Sequence, residues 1–135
     1  MSSNNPYIIE VIESHELIQQ WFANTPVEAD VCERLLSHFS PSFTMVGVSG
    51  HALSYSALCA FFQANGGAKQ ELKIEVSAIE IISEWENGAV LSYQEQQSLP
   101  DQAASLRYST VVFEKDLQGK VLWRHLHETK ANSGT

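Results

Sequence analysis

The chain has 135 residues, 44% hydrophobic and 18% charged, which is the size and balance of one folded domain with its own core. Eight basic against sixteen acidic residues leave a net charge of −8 with the cations scattered, so a phosphate backbone would be repelled and no nucleic-acid partner is expected. No apolar run reaches the roughly 18 residues of a membrane helix, and the opening MSSNNPYIIEVIE lacks a basic leader, so the expectation is a cytoplasmic protein without a membrane partner.

Ile8, Ile12, His15, Ile18 and Phe22 recur at helical spacing, and Trp21 widens that apolar face. The stretch TPVE places Thr25 as N-cap, Pro26 at the first helical position and Glu28 three residues after the cap. A second helix should start there, bury Val27, Val31, Leu35 and Phe39, and stop at Ser40 and Pro41. Phe43 to Ser49 reads as a short strand closed by Gly50. Leu53 to Asn65 reads as a third helix offering Tyr55, Leu58, Phe61 and Phe62 for packing, with Gly66 and Gly67 able to supply a left-handed end. Cys32 and Cys59 have no metal-ligand spacing and are expected as buried free thiols.

From Glu71 the period changes to two, over Glu71 to Trp85, Ala89 to Leu99, Ser105 to Asp116 and Lys120 to Lys130. Asn87–Gly88 and Gln118–Gly119 are hairpin signals, so the segments should form an antiparallel meander. In the first of them Leu72, Ile74, Val76 and Ala78 hold even positions while Ile79 and Ile81 hold odd ones. A bulge near Ala78 and Ile79 would restore the core face and bend the strand sharply. The fold class expected is α+β: three N-terminal helices packed on a strongly curved antiparallel sheet, as one domain over residues 1–135 with an ordered core at about 8–130.

The last segment, VLWRHLHETK, carries most of the candidate chemistry. As a regular strand it sends Trp123, His125, His127 and Thr129 to one face and Leu122, Arg124, Leu126 and Glu128 to the other. Imidazoles about 7 Å apart along one face suit two metal ligands, or an acid and a base acting on one substrate. A metal needs a third ligand that no motif declares, so no metal site is expected; the plainer alternative is a hydrogen-bonded pair within the sheet or at a subunit contact. Glu95 is the one carboxylate on the apolar face of Ala89, Leu91, Tyr93 and Leu99. Burial would raise its pKa and make it an acid or base, whereas a strand leaving the core at QEQQ would leave it solvated, which is the simpler reading. Arg107, the only basic residue in mid-strand, should pair a carboxylate such as Glu95 across strands or face a ligand anion. His15 lies in the first helical stripe, as a satisfied core histidine or a cap on a pocket; His38 and His51 receive no role. No serine-nucleophile, P-loop or dinucleotide fingerprint is present.

The helix ending IQQWF, the strand FTMVGVSG leading into a helix, and the terminal WRHLHET together resemble the nuclear transport factor 2-like superfamily, in particular its SnoaL-like and ketosteroid-isomerase-like branches. The resemblance covers roughly Ile9 to Lys130. It implies a cystatin-like cone with an apolar internal pocket and a homodimer formed through the outer face of the sheet. Members include isomerases, dehydratases, cyclases, hydrolases and non-catalytic association domains. No acid–tyrosine–acid set of the ketosteroid isomerases can be matched by position, whereas the histidine pair with Tyr55 and Tyr93 leans toward the dehydratase or cyclase style. The expectation is therefore a small apolar or aromatic organic ligand held by Trp21, Tyr55, Tyr93, Arg107, His125 and His127, with His125, His127 and Glu95 as catalytic candidates and no cofactor. The alternative is a non-catalytic dimeric association domain.

Overall fold

The computed structural model describes residues 5–23 and 29–131. The capping box at Thr25, Pro26 and Glu28, with Val27, lies outside the described residues. Helix α1 runs Pro6–Ala23 and is capped by Asn5, whose Oδ1 accepts from the amides of Tyr7 and Ile8 at 2.9 and 3.3 Å. Its buried face is Tyr7, Val11, Ser14, His15, Trp21 and Phe22, one step round from the expected stripe, so Ile12 is left 42% exposed.

Helix α2 is described over Ala29–Leu36 and buries Val31, Cys32 and Leu35. The expected helical end at Ser40 and Pro41 is corrected, because both lie inside strand β1, Phe39–Val46. Pro41 is tolerated there since the pairing of this strand is interrupted between Phe39 and Thr44, where no ladder bond needs its missing N–H. A short strand β2, Ala52–Ser54, was not foreseen and pairs back on β1. Helix α3, Tyr55–Ala64, begins where Ser54 Oγ accepts from Ala57 N, and Gly67 (φ +71°) takes the left-handed turn after it, as expected. Gly66 lies against the Trp21 ring so closely that a Cβ would sit 2.7 Å from it. That contact, with Trp21 Nε1 donating to the Phe62 carbonyl at 2.7 Å, ties the end of α3 to α1.

Four long strands follow: β3 Lys73–Trp85, β4 Gly88–Ser98, β5 Ser105–Lys115 and β6 Val121–Lys130. The sheet order is β2-β1-β6-β5-β4-β3, antiparallel throughout except that β1 and β6 are parallel. The bulge in β3 is where the apolar phase placed it: pairing skips from Ser77 to Glu80, and Ala78 adopts φ +52°. A second skip lies between Ile81 and Ser83, and a third in β6, where Trp123 and His125 oppose the adjacent residues Phe113 and Val112. The sheet is curved, with the helices against its concave face and a core that includes Tyr7, Val11, Leu35, Phe43, Leu91, Val111, Phe113 and Trp123. Each such side chain contributes about 1.5–3 kcal/mol by leaving water. Among the described residues no helix is long and apolar enough to cross a membrane. Cys32 is buried, Cys59 is partly buried and neither is in a disulfide.

Candidate functional site

Between α1, α3 and the concave face lies a cavity of about 270 Å³. Phe22, Phe39, Leu58, Phe62, Trp123 and Leu126 make its apolar wall, Val48 and Phe61 stand part-exposed at its border, and His15, Glu95, Gln97, Arg107 and Glu128 form a polar wall. The polar wall follows from register. Glu95 of β4 stands directly opposite Arg107 of β5, and Glu128 of β6 bonds the same arginine, so one guanidinium accompanies two buried carboxyls.

His15 fixes the protonation of this row. Its Nδ1 donates to the Val11 carbonyl at 2.7 Å, because a carbonyl can only accept. Nε2 then meets Glu95 Oε1 at 3.1 Å with one proton to share between them. Burial opposes charge on both groups, yet their mutual hydrogen bond and attraction win: the imidazole is held above its ordinary pKa and the Glu95 carboxyl below its own. Gln97 Nε2, donating to Glu95 Oε2 at 2.7 Å, and the charge of Arg107 assist. Both shifts favour the charged forms, imidazolium beside carboxylate.

Glu128 goes the other way. Burial raises its pKa, the nearby Glu95 charge adds to the rise, and the Arg107 Nη1 bond to its Oε1 at 3.2 Å only partly offsets them. The cavity thus holds one carboxyl biased toward ionisation and one biased toward keeping its proton. Trp123 is fixed beside them: its ring packs 5.8 Å from His15 and its Nε1 donates to Glu10 Oε2 at 3.1 Å, an oxygen that also pairs with His38 Nδ1 at 2.6 Å.

Of the residues expected from sequence, Glu95 and Arg107 lie in the cavity wall, and Glu95 is only 4% exposed rather than solvated. Its pKa is lowered where burial alone would have raised it. Arg107 faces Glu95 in register but hydrogen-bonds Glu128. His15 is the satisfied core histidine and lines the cavity as well. Tyr93 sits behind the wall, edge-on to His15 at 5.2 Å and to Trp123 at 6.4 Å, and burial drives its hydroxyl pKa well up. Trp21 is spent on the α3 anchor, and Tyr55 opens α3 with its hydroxyl against Cys59; neither lines the cavity.

His125 and His127 are the main correction. They were expected on the face of Trp123, but the extra residue Arg124 in the β6 bulge turns the strand over, so Trp123, Leu126 and Glu128 point inward and both imidazoles point outward. Glu128 was missed for the same reason, and Gln97 because β4 was read as leaving the core at QEQQ, whereas it stays paired in register through Gln97 beside Glu95. The alternation did group Leu126 with Glu128, and that shared face, apolar beside acidic, was the available signal.

No protein-family model matches the chain, and no curated protein matches it. Among solved structures it is similar to an NTF2-like protein of unknown function from Pseudomonas aeruginosa, at 34% identity and TM-score 0.88, covering 95% of this chain and 100% of that one. A ketosteroid isomerase-like protein from Erwinia carotovora atroseptica superposes at TM-score 0.67 with 9% identity, covering 94% and 95% of the two chains. An uncharacterised protein with a cystatin-like fold from Caulobacter vibrioides superposes at 0.68 with 18% identity, covering 93% and 88%.

Proposed function

The chain belongs to the nuclear transport factor 2-like family, and we propose that its cavity binds a small apolar or aromatic organic molecule and moves protons on it, as an isomerase, dehydratase or cyclase does. The observation that carries this reading is that two buried carboxyls line one cavity with different partners, Glu95 hydrogen-bonded to His15 and Gln97 and Glu128 to Arg107, surroundings that bias their pKa values in opposite directions. Two acids whose surroundings push their pKa values apart divide into a base and an acid at one pH.

In this reading Glu95 accepts a proton from the bound molecule, Glu128 delivers one to a second atom of it, and Arg107 steadies the negative charge between. Relocation of a proton gives an isomer; where the protonated group leaves as water, the product is an alkene. Glu95 then holds a proton and Glu128 lacks one, and exchange with solvent through the open side restores both. The aromatic wall supplies affinity by area and shape, because it has no donors to offer.

The test is a panel of small cyclic ketones, enols and aromatic alcohols, screened by thermal shift and then in D2O by NMR. A stabilising compound should exchange or relocate hydrogen with wild type, and lose that exchange with either Glu95→Gln or Glu128→Gln while still binding. Exchange that persists in both variants would refute the assignment.

A second reading, association of two copies through the outer face of the sheet, is favoured by Tyr108. Its side chain stands on that face in mid-sheet, 51% exposed, with Gln94 and Thr129 opposite it on the neighbouring strands.

A further inference from the structure

His125 and His127 lie outside the cavity, and they have a geometry of their own. Both project from the outer face of β6, with ring centroids 6.5 Å apart. Thr44 stands opposite His125 on β1, and its Oγ1 is 2.7 Å from His125 Nδ1. The hydroxyl can accept from Nδ1–H, which leaves the lone pair on Nε2, the tautomer that second-shell acceptors impose on metal-binding imidazoles. His127 is exposed and can turn its ring toward the same point.

The cross-strand neighbours of the pair are Thr44, Val46, Thr110 and Val112, all short side chains, and of the two rings His125 is half-buried and His127 exposed. The one adjacent cation, Arg124, is directed to the Ser42 carbonyl at 2.6 Å. We propose that His125 and His127 form a two-imidazole chelate for a divalent transition-metal ion on the outer face of the sheet. Among the described residues no third histidine, cysteine or carboxylate joins them in a cluster, so water completes the shell. That composition favours Cu²⁺, which binds nitrogen ligands most tightly of the first-row divalent ions, over Zn²⁺, whose structural sites use four protein ligands.

The experiment uses the untagged full chain and Cu²⁺ alone, by calorimetry in a non-chelating buffer and by electron paramagnetic resonance. Saturable binding with nitrogen hyperfine structure is expected in wild type. His127→Gln, at an exposed position where folding is not at stake, should weaken it about tenfold or more, as should His125→Gln, while Thr44→Val weakens it by a smaller factor. His51→Ala, in an exposed turn, should leave it unchanged. Affinity retained by His127→Gln, or the absence of saturable binding in wild type, overturns the proposal.

Discussion

Because the Val11 carbonyl accepts from Nδ1–H of His15, the imidazole meets Glu95 through Nε2 alone, across one 3.1 Å contact. Glu95, with its pKa below the ordinary 4.5, adds stability above pH 4.5 that is lost as pH falls through the lowered value. His15, raised above 6.5, adds stability below pH 6.5 that is lost as pH rises through the raised value. Glu128, also raised, acts in the same sense as His15, since the folded state holds its proton longer than the unfolded chain does. The Glu95 and His15 contributions overlap between about pH 4.5 and 6.5, while that of Glu128 is lost as pH rises from 4.5 through its raised value, so stability should be greatest toward the acid end of that window, and urea titrations should show decline on both sides. At pH 6, Glu95→Gln should lower stability by about 2–3 kcal/mol, less than the full cost of a stranded buried charge because His15 can then shed its proton. The same substitution should flatten the alkaline limb. Glu95 was visible in the sequence as an acid on an apolar face. The sign of its pKa shift was not, because the deciding partner, His15, is 80 residues distant and nothing local couples the two.

Two of the bulges that shape the sheet, the first in β3 and the one in β6, were unequally legible, for a physical reason. In β3 the apolar residues themselves change phase, from Leu72, Ile74 and Val76 to Ile79, so a core-facing strand has to carry an extra residue between them. In β6 both faces hold large residues on either side of Arg124, and a regular strand satisfies the alternation as well as a bulged one does. Ala78 lets the first bulge be tested. Its φ of +52° is a left-handed conformation that costs a residue with a Cβ about 1 kcal/mol or more. Ala78→Gly should leave stability level or raise it by about 0.5 kcal/mol, the relief being partly cancelled by the freer unfolded chain, whereas Ala78→Val should lower it by about 1–3 kcal/mol. Urea midpoints of the three proteins would rank them. Reversal of that order would mean that the chain does not turn at this residue.

At the scale of the molecule, the helix count, the four long strands and the resemblance carried by IQQWF, FTMVGVSG and WRHLHET were enough to give the fold. They did not give the partner of the early strand. Pairing of β1 with β6 joins Thr44 to His125, and no periodicity within either segment encodes which distant edge it will meet. Association through the outer face makes a distinct prediction. Tyr108→Arg should shift a dimer to monomer in light scattering at micromolar concentration and leave the thermal unfolding of the monomer within about 0.5 kcal/mol, as for other exposed substitutions. An unchanged mass would place any self-contact elsewhere.

The position of β6 also bears on how the polypeptide is made. It is the last of the six strands to leave the ribosome, yet it lies third in the sheet with β1 on one flank and β5 on the other. Until it arrives, the nascent chain is divided into a β2-β1 ribbon and a β5-β4-β3 ribbon, each with an unpaired edge turned toward the vacant lane. A polypeptide arrested before Val121 should thus depend on chaperones and be prone to aggregate, because the two ribbons cannot join without the ten-residue β6 between them.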